Sequence, residues 1–197
     1  MEIPSTMLAG VDEAGRGCLA GPVVAAAVLW PEGQEVPGLT DSKKLSEAQR
    51  EQLRTTLEKL LPDGHWAVGM ASAEEIDAMN ILQATYLAMH RAIAALQPAP
   101  DHLLIDGNRF KAFPGISHQC EVKGDARFQA ISAASIFAKT ERDRLMLEGH
   151  SAYPHYGWDR NKGYPSVGHR QALENHGPCP WHRRSFTWKP AQLRLDL

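Results

Sequence analysis

Asp12 and Glu13 stand side by side at the end of an apolar run, in "VDEAGRG", and two glycines follow at once. Carboxylates are costly to bury and glycine ends a strand poorly, so the combination implies a task. Asp106 repeats the arrangement in "LLIDGN", and Asp125 follows a glycine in "EVKGDARF". On a regular strand Asp12 and Glu13 would face opposite sides, but Gly15 and Gly17 let the chain turn so that both reach one site. Four such acids at one sheet edge repel each other unless cations sit between them. Hard oxygen donors suit Mg²⁺ or Mn²⁺ rather than zinc. Two such ions about 4 Å apart can activate a water and stabilise the leaving oxygen of a phosphodiester. Any one of these acids alone reads as readily as a turn former or helix cap; their recurrence at strand ends is what points to a metal site.

The elements that must position them follow from periodicity. "MLAGVD" and "GPVVAAAVLW" read as two strands of a hairpin joined by a glycine-rich turn, and "HWAVGMAS", "HLLIDG" and "SHQCEVKGDARF" as three more strands. "TDSKKLSEAQREQLRTTLEKLL" leads into a helix with Ser46 as N-cap and Leu53, Leu57, Leu60 and Leu61 on its buried side. A second helical stretch, "AEEIDAMNILQATYLAMHRAIAAL", contains Asn80 as a cap or break. "RFQAISAASIFAKTERDRLML" is the strongest helix, and its small residues Ala130, Ser132, Ala133, Ala134 and Ser135 imply close packing on the sheet. "SVGHRQALENHG" is a last helix ended by Gly177. The alternation predicts an α/β domain with a mixed sheet.

The 197 residues fit one domain, 1–197, and an apolar content of 43% is ample for a core. The net charge of −2 gives no global sign of a nucleic-acid partner. Basic residues do concentrate in 151–190: Arg160, Lys162, Arg170, Arg183, Arg184 and Lys189, interleaved with Tyr153, Tyr156, Trp158, Tyr164, Trp181, Phe186 and Trp188. Such a mixture suits a surface that grips phosphates and stacks on sugars or bases, and equally a basic tail with structural aromatics. Three scattered cysteines, Cys18, Cys120 and Cys179, argue against a disulfide framework. No apolar run is long enough for a membrane helix, and no secretory signal opens the chain. The expectation is a cytoplasmic protein that does not engage a membrane.

Six motifs then occur in order: "DEAGRG" at 12–17, "DSKKLS" at 41–46, "IDG" at 105–107, "KGDARFQAISAASIFAKTERDR" at 123–144, "NKGYPSVGH" at 161–169 and "HGPCPWHRRSF" at 176–186. The series closely resembles bacterial ribonuclease HII, the type 2 ribonuclease H family, from about residue 8 to residue 188. The resemblance implies a ribonuclease H-like fold, a mixed central sheet flanked by helices with a small C-terminal helical segment contacting substrate from about residue 150. It also implies divalent-metal-dependent cleavage of the RNA strand of RNA–DNA hybrids, and 5′ to single ribonucleotides in duplex DNA. The products would carry 3′-hydroxyl and 5′-phosphate ends, the reaction needed to remove ribonucleotides from DNA. The family's four metal-binding carboxylates match Asp12, Glu13, Asp106 and Asp125, with Mn²⁺ or Mg²⁺ in a two-metal site. Its ribose-reading turn matches Gly15, Arg16 and Gly17, its substrate-sensing tyrosine matches Tyr164, and its phosphate contacts match Ser42, Lys43 and Lys44. For Ser42 a helix-capping role stays open.

Departures from the pattern are small: Ser166 where threonine is usual, and Phe137 where a branched aliphatic is commoner. No additional N-terminal domain of the type 3 enzyme is visible. Asp143 lies about five helical turns beyond Asp125, too far for both to ligate one ion on a continuous helix, so a supporting role beside an arginine is expected. His176, Cys179 and His182 offer an incomplete zinc set. "GRGCLAG" fails the spacing of a dinucleotide-binding loop, which weakens a non-catalytic binding module, while a junction-cutting nuclease would share the metal chemistry and differ in substrate. A monomer is the expected state.

Overall fold

A computed structural model describes residues 7–188. Five strands form one mixed sheet: β1 (Leu8–Ala14), β2 (Val23–Leu29), β3 (Trp66–Ala71), β4 (His102–Asp106) and β5 (Ser117–Glu121), in the order β3-β2-β1-β4-β5. β1 runs antiparallel to β2 and parallel to β4, so the hairpin and a crossover strand meet on β1. β2, "VVAAAVL", is buried at every position, as a strand covered on both faces must be.

Among the described residues are six helices: α1 (Glu47–Leu60), α2 (Ala73–Met79), α3 (Ile81–Ala94) and α4 (Gln129–Ala152), which supply the two cores on the sheet's faces, and α5 (Trp158–Asn161) and α6 (Val167–His176), which pack beside α4. Ser46 caps α1 in a full capping box with Gln49. Asn80 ends α2 with φ 73° and accepts from the amides of Leu82 and Gln83 to start α3. Alternation along β1 divides the core. Val11 packs with Ile105 and α3 on one face, while Ala26, Val28, Ala133, Ala134 and Phe137 pack with α1 and α4 on the other. Gly10 lies on the α4 side, where a Cβ would overlap the backbone of Ala130 and Ile131. Its bare Cα lets the long helix rest directly on β1. Phe137 stacks on Trp66 at 4.2 Å between centroids, which accounts for the aromatic at that position.

The C-terminal aromatics correct one reading of the sequence. Tyr156 and Trp158 are buried, with Tyr153, Trp181, Phe186 and Trp188 packed around them on Leu19, Ala20 and Met146. They form a local core, not a stacking surface, and Lys162 and Arg183 are buried with them. Tyr164, 42% exposed, is the aromatic left facing out; Lys189 lies outside the described residues.

Candidate active site

Parallel pairing sets Val11 beside Ile105, both on the α3 side. The next residue on each strand therefore turns to the α4 side, and these are Asp12 and Asp106. The chain then crosses β5 and enters a short turn, Gly124–Ala126, directly before α4, which carries Asp125. Asp106 Oδ1 accepts from the amide of Gly124 at 2.9 Å, tying that turn to the end of β4. As a result Asp12, Asp106 and Asp125 each present a carboxylate oxygen, all within 4.8 Å of one another.

Asp12 and Asp125 are buried, and that burial dominates their acidity. Burial, then Glu13 and Asp106, hold the Asp12 carboxyl well above its usual range, against its bond from the Glu13 amide and the charge of Lys43. Burial, then Asp106 and Asp41, raise Asp125 likewise. Burial also raises Glu13, against Arg16, whose Nη1 lies 3.1 Å from Glu13 Oε1. Lys43 Nζ is 3.8 Å from Asp125. Burial opposes its charge, yet Asp12, Asp41, Asp125 and Asp106 outweigh burial and keep its ammonium above the ordinary value. The donor set is oxygen alone, in excess of its one close ammonium, which fits a hard divalent cation.

Beside this cluster a cleft of about 210 Å³ is lined by Glu13, Gly15, Arg16, Gly17, Ser42, Lys43, Ser135, Lys139 and Tyr164. The proposed turn, the lysine and the tyrosine, drawn from three distant stretches, thus share one wall. A larger cavity, about 560 Å³ among Leu8, Trp30, Leu104 and Phe128, holds none of the four acids.

The family model for ribonuclease HII matches residues 9–189. The ribonuclease HII of Parabacteroides distasonis is 55% identical over 189 residues, covering 96% of this chain and 94% of that protein. The chain belongs to the ribonuclease HII family. The ribonuclease HII of Dechloromonas aromatica is 53% identical over 196 residues, 98% of this chain and 97% of its own. In three dimensions the chain superposes on ribonuclease H2 from Pyrococcus horikoshii with a TM-score of 0.75 at 29% identity, covering 92% and 94% of the two chains. The ribonuclease HII in a PCNA complex from Archaeoglobus fulgidus gives 0.76 at 27%, covering 95% and 98%. Its mixed sheet and flanking helices are those of the ribonuclease H-like fold. As a ribonuclease HII, the protein is an endonuclease acting on the RNA of RNA–DNA hybrids.

Set in this family frame, the remaining expected residues divide. The Glu13 carboxylate stands apart from the close group of three, held by Arg16. Ser42 is buried and accepts from Ser135 Oγ at 2.7 Å. The helix cap there is Asp41, which accepts from the Lys43 amide and so aims Lys43 at the acids, while Ser42 caps nothing. Asp143 pairs with Lys139 at 2.7 Å and Arg50 at 3.7 Å, as a supporting residue. Ser166 caps α6 with its hydroxyl. Among the described residues, His176, Cys179 and His182 do not gather as a three-ligand metal set. His182 Nδ1 accepts from the Cys179 amide and lies 3.2 Å from Cys179 Sγ, while the His176 ring packs at a tilt against His155.

Sequence reasoning gave no site role to Ser135 and Lys139, which line the cleft, or to Asp41, which caps the turn that carries Lys43. Lys139 lies 5.7 Å from the Tyr164 ring centroid. Its one sequence signal was the Lys139–Asp143 spacing of four on a helix.

Proposed function

We propose that the chain is a divalent-metal-dependent endoribonuclease that cuts the RNA strand of hybrids and cleaves 5′ to single ribonucleotides in duplex DNA. The products carry 3′-hydroxyl and 5′-phosphate ends. It works as a monomer in the cytoplasm, clearing ribonucleotides from DNA. The convergence of Asp12, Asp106 and Asp125 within 4.8 Å, beside the cleft that holds Tyr164, carries this reading.

Asp12, Asp106 and Asp125, with Glu13, would hold Mg²⁺ or Mn²⁺. Bound there, such ions lower the pKa of water and offset charge on a phosphodiester. The chain's own groups do the rest. Arg16 holds Glu13 beside the cluster, and the exposed ammonium of Lys43 faces the phosphate and balances its charge. Gly15–Gly17 brings backbone against the ribose, whose 2′-hydroxyl separates RNA from DNA. The Tyr164 ring packs on the next sugar and favours a deoxyribose. Among the described residues no His or Cys lines the cleft, which accords with water as the nucleophile.

An end-labelled DNA duplex with one ribonucleotide, incubated with Mn²⁺, Mg²⁺ or excess chelator, tests the reading. The expected result is a cut on the 5′ side of the ribonucleotide with metal alone. Equal cutting in chelator, or no cutting of this duplex with either metal, would contradict it.

A further inference from the structure

Arg142, on α4, and Arg183, beyond α6, are 0% and 1% exposed, and the hydrogen bonds they donate go to backbone carbonyls, none to a carboxylate. Arg142 takes the carbonyls of Ala20, Pro22 and Lys162. Arg183 takes those of Gly15, Arg16 and Gly21. A buried guanidinium is costly unless fully bonded, and burial pulls Arg183 down to about 10. Space-filling alone would be met by an apolar side chain, so the charge serves the carbonyls.

The consequence lies on the other side of each peptide. A trans peptide points its C=O and N–H in opposite directions. With the carbonyls of Gly15 and Arg16 drawn to Arg183, the N–H groups of Arg16 and Gly17 point away from it. Neither N–H is bonded to another backbone group in the described chain. Both residues are exposed and line the cleft, and a Cβ at Gly17 would meet open space. Arg142 sits against Gly15, where a Cβ would overlap its guanidinium, and within 3.3 Å of the Cβ positions of Gly21 and Gly163. Through the Lys162 carbonyl it also fixes the segment leading to Tyr164, whose ring centroid is 5.9 Å away.

We infer that Arg142 and Arg183 are positioning residues for ribose recognition: by drawing the carbonyls of 15–22 inward they present the Arg16 and Gly17 N–H groups, in register with the Tyr164 ring, to a 2′-hydroxyl oxygen. A deoxyribose offers these donors no acceptor. The inference rests on the proposed substrate class and assigns how the chain detects it.

The test compares binding, by fluorescence anisotropy in Ca²⁺, of two duplexes identical except for one ribonucleotide. The wild type binds the ribonucleotide duplex more tightly. In Arg183→Lys and Arg142→Lys, which keep the charge and lose the planar fork, that preference falls towards one while binding of the all-DNA duplex holds. Folded variants that keep the wild-type preference would overturn the inference and leave the substrate class intact. A wild type with no preference, and no cleavage in Mn²⁺, would overturn the substrate class itself. Should the variants fail to fold, the wild-type amide resonances of Arg16 and Gly17 decide. They shift with the ribonucleotide duplex and not with its all-DNA twin; equal responses to both would overturn the inference.

Discussion

Tyr164 shows how much one side chain is asked to do. Its ring is exposed to the cleft between Lys139 and Arg142, while burial, then the neighbouring Cys18 thiol, hold its hydroxyl above the ordinary tyrosine range. Stacking belongs to the ring, so Tyr164→Phe is expected to lose less than about five-fold in kcat/KM on the single-ribonucleotide duplex, and Tyr164→Ala about fifty-fold. Steady-state kinetics of the two variants checks this; equal losses would transfer the role to the hydroxyl. At this scale the sequence was most legible where chemistry is written in residue type. Asp12 and Asp106 are acids at strand ends and Asp125 is one in the turn before α4, and it is their recurrence beside glycines that marks them. Arg142 carried no sequence signal and Arg183 counted only among the basic residues of 151–190, because their partners are carbonyls, which no side-chain pattern records. Ser42 was read as a surface contact or cap, since "DSK" cannot reveal that Asp41 takes the cap and Ser135 the hydroxyl.

The elements set the distances among these residues. β1 is the hinge of the arrangement, since its end carries Asp12 and Glu13 and its middle receives α4 at Gly10. Gly10→Ala forces a Cβ into the backbone of α4, which cannot swing aside as a side chain can. The expected cost is about 3 kcal/mol or more, read as a lower midpoint in urea unfolding; an unchanged midpoint would show that α4 does not rest on β1 as described. Helix boundaries were readable from local chemistry, with Ser46, Asn80 and Gly177 each ending or starting a helix as their types imply. The parallel pairing of β1 with β4 was not readable. It joins stretches about ninety residues apart, and a mixed sheet of these strands admits several orders. That pairing is what sets Asp12 beside Asp106.

At the scale of the whole molecule, the C-terminal segment is braced internally by a neutral histidine pair, His169 and His182. His169 Nδ1 donates to the Tyr164 carbonyl, and His169 Nε2 accepts from Trp158 Nε1. His182 Nδ1 accepts from the Cys179 amide, which leaves its Nε2–H to donate to His169 at 3.1 Å. Protonating either ring sets donor against donor. Burial, then His169, lower His182 from 6.5 to about 4. A base with a depressed folded pKa binds fewer protons folded than unfolded, so its stability is present above about 6.5 and lost as pH falls towards about 4. His182→Phe keeps a ring there and cannot protonate. Its midpoint in thermal melts should be lower at pH 7 and decline less between pH 6.5 and 4 than the wild type's; parallel declines would contradict this. The interleaved aromatics of 151–188 were ambiguous because the same residues serve a stacking surface or a small core, and only the chain's return onto Leu19 and Ala20 distinguishes them.

Asp12 works in the opposite sense. With a folded pKa above 3.8, its contribution to the metal-free fold is present at acid pH and lost as pH rises through the raised value. At neutral pH its charge is a burden on stability, retained for the cation it would hold. The most direct measurement is cleavage of the single-ribonucleotide duplex in saturating Mn²⁺ by Asp12→Asn, with its metal-free melting midpoint recorded on the same sample. The expected result is turnover reduced at least about a thousand-fold, with a midpoint raised by roughly 2–4 °C. Wild-type turnover would contradict the metal site, and lost turnover with a lowered midpoint would make Asp12 a residue of the fold instead.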